Sequence, residues 1–328
     1  MLRDIYIRPT GLLPFKQTET VTEAWDTLRL AGGWLSFTAI EAIERNGPTV
    51  ENRIVGIGGF MERDWGRRTL TASDLFENLR MPRPRLCGMP LDRPRIMGIV
   101  NVTPDSFSDG GAVFSATAAI AHGLALAAQG AEILDIGGES TRPGAEPIPI
   151  DEELRRIIPV IEGLSDKTDA LISVDTRKAR VMKQAVAAGA DIVNDVSALT
   201  FDPASLDTVA ELAVPVVLMH AQGDPRSMQH DPVYPNVLLD VFDYLEDRID
   251  ACRGAGIARE KIIVDPGIGF GKTLDHNLAL LERLATFHGL GVPILLGASR
   301  KNMIGRLTGV TIAADRVHGS VGAALAAI

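Results

Sequence analysis

Beyond residue 95, short apolar runs alternate along the chain with longer stretches of helical periodicity. The runs are continuously apolar inside, as in ILDI at 133–136 and IIV at 262–264, which is typical of strands buried on both faces. Such an alternation predicts a parallel sheet covered by helices. The predicted strands lie near 95–101, 132–136, 171–175, 191–196, 215–220, 261–265 and 292–298. The predicted helices lie near 115–129, 151–164, 177–188, 203–212, 236–255, 274–289 and 315–328.

Seven predicted strands are one short of a closed barrel of eight strands and eight helices. We therefore expect an α/β fold of the TIM (β/α)8 type whose eighth strand and helix are missing from this chain. An open barrel would leave two unpaired strand edges. Truncation is the favoured explanation, and a strand from the N-terminal part that fills the gap is the alternative.

The segment 81–93, MPRPRLCGMPLDR, predicts a linker because three prolines and a glycine prevent a continuous helix. Before it, the pattern predicts a helix around 19–31, a strand-like run at 53–60 and a helix around 73–79. The glycines at 56–59 do not complete a dinucleotide-binding loop. We therefore divide the chain into an N-terminal extension of unknown role, residues 1–92, and a barrel domain, residues 93–328.

Composition narrows the possible partners. The chain has 328 residues, 46% hydrophobic and 23% charged, with a net charge of −9. This charge argues against a nucleic-acid or anionic-membrane partner but allows a small anionic substrate held by local basic groups. Two cysteines, Cys87 and Cys252, indicate a reducing compartment without a disulfide framework. Neither a signal peptide nor a membrane-spanning apolar run is evident, so a soluble cytoplasmic protein is expected.

Polar side chains stand at the carboxyl ends of the predicted strands, where a parallel barrel builds its active site. Three of them, Asp175, Asn194 and Asp265, come from different strands and suit a planar heterocycle with amide-like and guanidine-like groups. A helix cap or a turn explains any single Asp equally well, but three together favour a site. The full set of strand-end polar residues is Asn101, Asp135, Asp175, Asn194, Asp195, His220, Asp265 and Ser299.

Long polar loops follow the first two strands, at 101–111 and from residue 140 onwards. Such loops are candidate lids, although ordinary surface connections remain the alternative. Residues 266–273, PGIGFGKT, nearly match a P-loop, but Pro266 stands where that motif needs a glycine, so we reject an NTPase. After the seventh strand, Ser299-Arg300-Lys301 predicts two positive charges at the barrel mouth.

Five motifs, in this order along the chain, resemble the signature of the dihydropteroate synthase family. The resemblance covers about residues 93–328, and residues 1–92 match nothing recognisable. The motifs are NVTPDSFSDGG at 101–111, GESTRPG at 138–144, SVDT at 173–176, DPGIGFGK at 265–272 and SRK at 299–301.

The resemblance implies a TIM barrel that acts in folate biosynthesis with Mg²⁺. In that reaction 4-aminobenzoate displaces pyrophosphate from 6-hydroxymethyl-7,8-dihydropterin diphosphate and gives 7,8-dihydropteroate. Positioning and electrostatic stabilisation, rather than a covalent nucleophile, would drive it. A homodimer and competition by sulfonamides at the aminobenzoate slot are also implied.

The same resemblance assigns roles to residues of this chain. Asp175, Asn194, Asp265 and Lys301 would hold the pterin, and Asn101 would lie beside the pyrophosphate and the metal. Thr141 and Arg142 would belong to the loop that closes over the substrates, and Asp105, Ser106 and Phe107 to its partner loop. Phe270 and Pro143 would form the walls of the aminobenzoate slot. The residues expected to act in catalysis are Asn101, Asp105, Thr141, Arg142 and Lys301.

Two departures from the family pattern stand out. Asn302 occupies a position where the family usually has serine. The family ends its eighth strand with an Arg-x-His pair that binds the diphosphate, and Arg316 with His318 only imitates that pair at the start of a helix, where we expect a structural role. Activity of this chain without the true pair is therefore an open question at this point.

Two alternative functions remain. A pterin-binding methyltransferase that uses methyltetrahydrofolate and a corrinoid would share the Asp and Asn contacts but should lack the loops at 104–109 and 140–144. A non-catalytic pterin-binding paralogue would keep the pocket without the activity, because a fold does not determine a function.

Overall fold

The computed structural model of the chain describes residues 4–15, 27–103, 116–140, 146–223 and 231–328. The strands are β1 (Ile5–Thr10), β2 (Leu13–Pro14), β3 (Leu28–Arg29), β4 (Leu35–Phe37), β5 (Ala39–Asn46), β6 (Thr49–Gly56), β7 (Met97–Asn101), β8 (Ile133–Gly137), β9 (Leu171–Asp175), β10 (Ile192–Asp195), β11 (Val216–Met219) and β12 (Ile262–Asp265).

Helices occur both in the N-terminal extension and in the barrel domain. The α-helices are α1 (Ile57–Glu62), α2 (Thr69–Arg80), α3 (Ala116–Ala128), α4 (Ile150–Ser165), α5 (Ala179–Ala187), α6 (Ser205–Leu212), α7 (Val237–Gly254), α8 (Leu274–Glu282), α9 (Asn302–Thr308) and α10 (Val317–Ala327). Short 3₁₀ helices lie at Gly66–Arg68, Arg259–Lys261, Leu284–Leu290 and Ala313–Asp315.

The central sheet has six strands in the order β12-β11-β10-β9-β8-β7, and every neighbouring pair is parallel. The first six predicted strands are present to within two residues at each end, and helices α3 to α7 follow the predicted pattern equally closely. The α/β fold predicted from the sequence is confirmed. The described residues form no closed barrel, as expected for a barrel that lacks its eighth unit.

The seventh predicted strand, 292–298, was wrong as a full strand. It forms a single parallel bridge from Ile294 to Val264 on β12. The Val264 amide donates to the Pro293 carbonyl (3.0 Å), and the Leu295 amide donates to the Val264 carbonyl (2.8 Å). Pro293 has no amide hydrogen, and the segment pairs with β12 alone among the described strands, so a longer ladder does not form.

A second correction concerns the helix predicted over 274–289. The α-helix α8 ends at Glu282, and the tighter 3₁₀ helix Leu284–Leu290 follows it. This turn buries Phe287 and Leu290, which belong to the same apolar core as the N-terminal strands. The last predicted helix, 315–328, is confirmed as α10.

The N-terminal residues form a compact layer of antiparallel strands in the order β1-β5-β6, with a second small sheet ordered β2-β4-β3. Polar contacts tie this layer to α7. The Tyr6 hydroxyl donates to Asp243 (2.7 Å), and Arg45 forms an ion pair with the same carboxylate (2.8 Å). The Tyr6 ring also meets Phe242 edge-on, with centroids 5.3 Å apart. The extension is therefore packed directly on the outside of the barrel.

Three predictions for the N-terminal part have different outcomes. The helix around 73–79 is confirmed within α2. The strand-like run at 53–60 is right only as far as Gly56, because α1 begins at Ile57. The helix around 19–31 is wrong for its last residues, since Leu28 pairs with Phe37 in an antiparallel ladder; residues 19–26 lie outside the described part of the chain.

The proline-rich segment 81–93 contains no helix, as predicted, and it closes the lower end of the barrel. Leu86, only 5% exposed, forms a small apolar cluster with residues near the amino ends of four strands. Its buried members are Leu86, Ile133, Ile192, Val217 and Ile263. The linker thus acts as a plug for the inner core, and the polar ends of the strands lie at the opposite end.

Arg316 and His318, which imitate the family's Arg-x-His pair, lie at the start of α10. Arg316 precedes α10 and donates to the carbonyls of Val310 (2.9 Å) and Thr311 (2.6 Å), which agrees with the structural role expected for it. His318 is exposed on α10. Across the described ranges, no helix combines the length and apolarity needed to span a bilayer.

Replacing Leu86 with alanine should lower the free energy of unfolding by about 2 to 5 kcal/mol, because it leaves a cavity under the strands. Urea unfolding monitored by circular dichroism measures this loss. Leu70→Ala, at a position that is 81% exposed, is the matched control and should change stability by less than about 0.5 kcal/mol. Equal stability of the two variants would contradict a plug role for Leu86.

Candidate functional site

The strand register gathers the predicted site residues into one layer. Asn101 on β7 lies opposite Gly137, which lies opposite Asp175 on β9, which lies opposite Asn194 on β10. A methyl group on Gly137 would lie 3.4 Å from Asp175 Oδ2 and 3.7 Å from Asn101 Oδ1. The absence of a side chain at Gly137 therefore keeps open the space between these two polar groups.

Asp135 lies one inward position below Gly137 and joins this layer from underneath. Its carboxylate accepts hydrogen bonds from the Ser173 hydroxyl (2.6 Å) and from Asn194 Nδ2 (3.0 Å). Burial raises the pKa of Asp135, and the two hydrogen bonds oppose that rise. Because Asp135 takes the Nδ2 donor of Asn194, the amide oxygen of Asn194 is left to face a ligand. The sequence reasoning had assigned no role to this orienting contact.

Asp175 carries the most strongly perturbed carboxylate of the layer. Its Oδ1 atom is buried and accepts no hydrogen bond from the described residues. Burial raises the pKa of Asp175 well above its ordinary value, and the nearby carboxylates of Asp135 and Asp195 raise it further. A buried acceptor without a donor is costly, so a ligand that brings N–H groups to this atom would bind favourably.

Asp265 stands at the end of β12 and is 6% exposed. Its Oδ1 accepts the Gly267 amide hydrogen (2.7 Å), while burial raises the pKa of the carboxyl group. The charge of Lys301 acts in the opposite direction and favours the carboxylate. Asp265 is therefore anchored by its own loop and faces a cationic partner.

Lys301 and Phe270 lie together at this edge of the site. The ammonium of Lys301 is 4.1 Å from the centre of the Phe270 ring, a cation–π contact. Burial lowers the pKa of Lys301 to about 8, and the carboxylates of Asp265 and Asp175 oppose that shift. Of the two positive charges expected from Ser299-Arg300-Lys301, Lys301 is half-buried beside Phe270 and Arg300 is exposed.

Two other strand-end residues, Asp195 and His220, form hydrogen bonds with neighbouring groups of the protein. Asp195 points to the outer side of β10 and accepts from the Ser197 amide (2.7 Å) and the Leu199 amide (3.0 Å), so it forms a turn. His220 follows β11, and its Nδ1 lies 2.9 Å from the buried ammonium of Lys272. In the sequence, Lys272 belongs to the rejected P-loop match and ends the family motif at 265–272, but neither pattern predicts its contact with His220.

A buried ionic cluster lies behind the site, after β8 and β9. Glu139 pairs with Lys178 (2.6 Å) and Arg177 (2.5 Å), and Lys178 also pairs with Glu153 (2.6 Å). Although burial favours the neutral acid, hydrogen bonds from Lys178 and Arg177 lower the pKa of Glu139. Glu139 also accepts the Ile148 amide hydrogen (3.0 Å). The cluster thereby fastens the residues on both sides of 140–147, where Thr141 and Arg142 occur.

Several predicted site residues lie outside the described part of the chain. They are Asp105, Ser106, Phe107, Thr141, Arg142 and Pro143. The predicted residues that the structure does bring to the carboxyl edge of the sheet are Asn101, Asp175, Asn194, Asp265, Phe270 and Lys301.

The only predicted metal ligand is Asn101, an exposed residue at the end of β7. Within the described residues, no group of three or more His, Cys, Asp or Glu side chains could hold a metal ion. A single amide oxygen nevertheless fits Mg²⁺, which usually keeps several waters and binds through one or two protein oxygens together with substrate phosphates.

Comparisons with known proteins agree with this geometry. The family model described as "pterin binding enzyme" matches residues 97–328. Dihydropteroate synthase of Escherichia coli K12 is 47% identical over 239 residues, which cover 73% of this chain and 84% of that protein.

Solved structures give the same result. Xanthomonas albilineans dihydropteroate synthase with 4-aminobenzoic acid is 54% identical, with a TM-score of 0.71 over 75% of this chain and 89% of that one. The same enzyme in complex with 7,8-dihydropteroate is 52% identical, with a TM-score of 0.68 over 74% and 88% of the two chains. The predicted resemblance is confirmed: the chain belongs to the pterin-binding enzyme family and is similar to the dihydropteroate synthases named above.

Proposed function

We propose that the protein is a dihydropteroate synthase, a transferase that joins 6-hydroxymethyl-7,8-dihydropterin diphosphate to 4-aminobenzoate with release of pyrophosphate. The observation that carries this proposal is the layer of Asp175, Asn194 and Asp265 at the carboxyl edge of a parallel sheet. The 7,8-dihydropteroate complex of a relative that is 52% identical supports it.

The pterin would lie on this layer. Its amino group and ring N–H groups are donors, and the buried Asp175 Oδ1, which the described residues leave without a donor, is a matching acceptor. Asn194, oriented through Asp135, would present its amide oxygen to the same ring. Asp265 and Lys301 would contact the other end of the heterocycle. These contacts would fix the ring in one orientation.

The aminobenzoate would occupy a slot beside Phe270, whose ring would stack on that of the substrate. Pro143, expected to form the opposite wall, and the loop residues Asp105, Ser106, Phe107, Thr141 and Arg142 keep the roles that the resemblance implies. A sulfonamide should compete for this slot, because a Yersinia pestis relative that is 45% identical has been solved as a sulfonamide drug complex.

The chemistry requires little from a nucleophilic side chain. The aromatic amine forms a C–N bond to the pterin methylene carbon, the C–O bond to the diphosphate breaks, and the leaving pyrophosphate takes the electron pair. The amine then loses one proton. The protein would contribute by aligning the two substrates and by stabilising charge through Lys301.

Mg²⁺ is the proposed cofactor, and Asn101 would hold it through its amide oxygen. When bound, the ion would neutralise charge on the diphosphate. Residues 1–92 are proposed as an N-terminal extension of the barrel, residues 93–328. The protein is also proposed to be cytoplasmic, which the two free thiols of Cys87 and Cys252 support.

Purified protein should release pyrophosphate and form 7,8-dihydropteroate from the two substrates in the presence of Mg²⁺. Asp175→Asn should lower kcat/KM by about 100-fold or more, because the neutral amide cannot accept the paired N–H bonds. Asp169→Asn, an exposed position before the opposite end of β9, is the control and should keep full activity. Pterin binding without pyrophosphate release would instead support the non-catalytic paralogue.

The activity should also fall as the pH rises. Because the pKa of Lys301 is lowered to about 8, its positive charge is lost as the pH passes through that value, earlier than for an exposed lysine. We expect kcat/KM to decline above about pH 8 with the slope of one proton. Lys301→Arg keeps its charge and should move the decline to higher pH. An unchanged profile in this variant would assign the decline to another group.

We propose a homodimer, which the family resemblance implies, with the apolar side of α10 formed by Val317, Val321 and Leu325 as its contact. Light scattering should then give twice the mass of one chain, and Leu325→Glu, at a position 67% exposed, should reduce it to the mass of one. Leu70→Glu, on α2 at a position that is 81% exposed, is the control and should leave the dimer intact. A single-chain mass for the unsubstituted protein would refute the dimer.

A further inference from the structure

Lys272 is a buried lysine that takes no direct part in the proposed chemistry. It is 3% exposed and lies directly after the glycine-rich loop 267–271. Its ammonium contacts the carbonyl oxygens of Gly267 (2.9 Å), Phe270 (3.0 Å) and His220 (3.3 Å). It also contacts the Nδ1 atom of His220 (2.9 Å). One side chain therefore bridges two positions of the loop to the end of β11.

His220 accepts a hydrogen bond in this arrangement. Burial, followed by the charge of Lys272, lowers the pKa of His220 to about 2, so the imidazole is neutral. Burial lowers the pKa of Lys272 to about 7, so the lysine is charged below that pH. Its ammonium can then only donate, which makes Nδ1 the acceptor and assigns the ring proton to Nε2. The His220 ring is in turn held edge-on by Tyr244, with centroids 4.8 Å apart. The acceptor is thus fixed by packing.

Several side chains hold the backbone of this loop. The Gly267 amide donates to Asp265 (2.7 Å), the Gly269 amide to Asn277 (2.7 Å), and the Tyr234 hydroxyl donates to the Gly271 carbonyl (2.7 Å). Lys272 is the side chain that binds the Phe270 carbonyl (3.0 Å).

Gly267, Gly269 and Gly271 all have left-handed backbones, with φ of +69°, +84° and +60°. A methyl group on Gly267 would lie 1.9 Å from the His220 carbonyl oxygen, so the loop rests directly on the backbone after β11. Three glycines in this region give an intrinsically permissive segment, and its conformation must be imposed by outside contacts.

Phe270 is the residue that this loop presents to the site, with its ring 4.1 Å from the Lys301 ammonium. By contrast, Asp175 and Asn194 belong to strands β9 and β10, and none of the hydrogen bonds of Lys272 reaches them. Removing Lys272 should therefore disturb the wall of the aminobenzoate slot most and leave the pterin contacts of Asp175 and Asn194 unchanged.

We propose that Lys272, braced by His220, is a positioning residue that holds Phe270 in place for the aromatic amine substrate and so affects the affinity for 4-aminobenzoate much more than that for the pterin. This inference rests on the proposed synthase function and extends it to a group that touches neither substrate.

The test measures both KM values for Lys272→Met, which keeps the length of the side chain but removes its donors. The KM for 4-aminobenzoate should rise by about tenfold or more, since at least two buried carbonyls lose their donor, while the KM for the pterin diphosphate should change by less than about threefold. Lys183→Met, on the exposed lysine that pairs with Glu211, is the control and should leave both KM values unchanged.

A second pair of variants keeps the test decisive if Lys272→Met does not fold. His220→Asn retains an acceptor near the ammonium and should keep the KM for 4-aminobenzoate within about threefold of the original, whereas His220→Leu removes it and should raise that KM. Parallel changes of both KM values, or equal behaviour of the two His220 variants, would overturn the inference and leave the synthase function intact. Absence of product from the unsubstituted protein would instead refute the synthase function itself.

Discussion

The parallel register of β7 to β10 is the constraint on which the site depends. Neighbouring strands pair Asn101 with Gly137, Gly137 with Asp175, and Asp175 with Asn194, so these four positions form one inward layer. Side chains two residues away along a strand share the same face and form the next layer. Asp135 and Ser173 form the layer below, and apolar side chains and the Leu86 plug close the bottom. A register shift of one residue in any of these strands would turn its polar group outward into the helices.

This layering concentrates carboxylates where water is scarce. Burial raises the pKa of Asp135, Asp175 and Asp265. The charge of Arg177 opposes this rise at Asp175, and the charges of Lys301 and Lys272 oppose it at Asp265. An arrangement of this kind is costly in an empty protein and is relieved by a ligand that supplies donors. The binding of a nitrogen-rich ring is thus built into the energetics of the fold rather than added by a surface loop.

Much of this could be predicted from the sequence, because apolar runs mark buried strands and the polar residue after each run marks the edge where the site forms. Asp175, Asn194 and Asp265 were found in this way. The contact of Asp135 with Asn194 and that of Lys272 with His220 could not be, since each joins side chains from separate strands and leaves no periodic signal. The seventh strand was overpredicted because an apolar run does not reveal how many strands lie beside it: the segment at 292–298 pairs with β12 alone among the described strands, and Pro293 cannot donate to that ladder.

A crystal structure of the protein with a bound 7,8-dihydropterin tests the central claim most directly. The account predicts ring N–H groups within hydrogen-bond distance of the Asp175 carboxylate, with Asn194 and Asp265 in contact with the same ring. A pterin bound away from these three residues would contradict it.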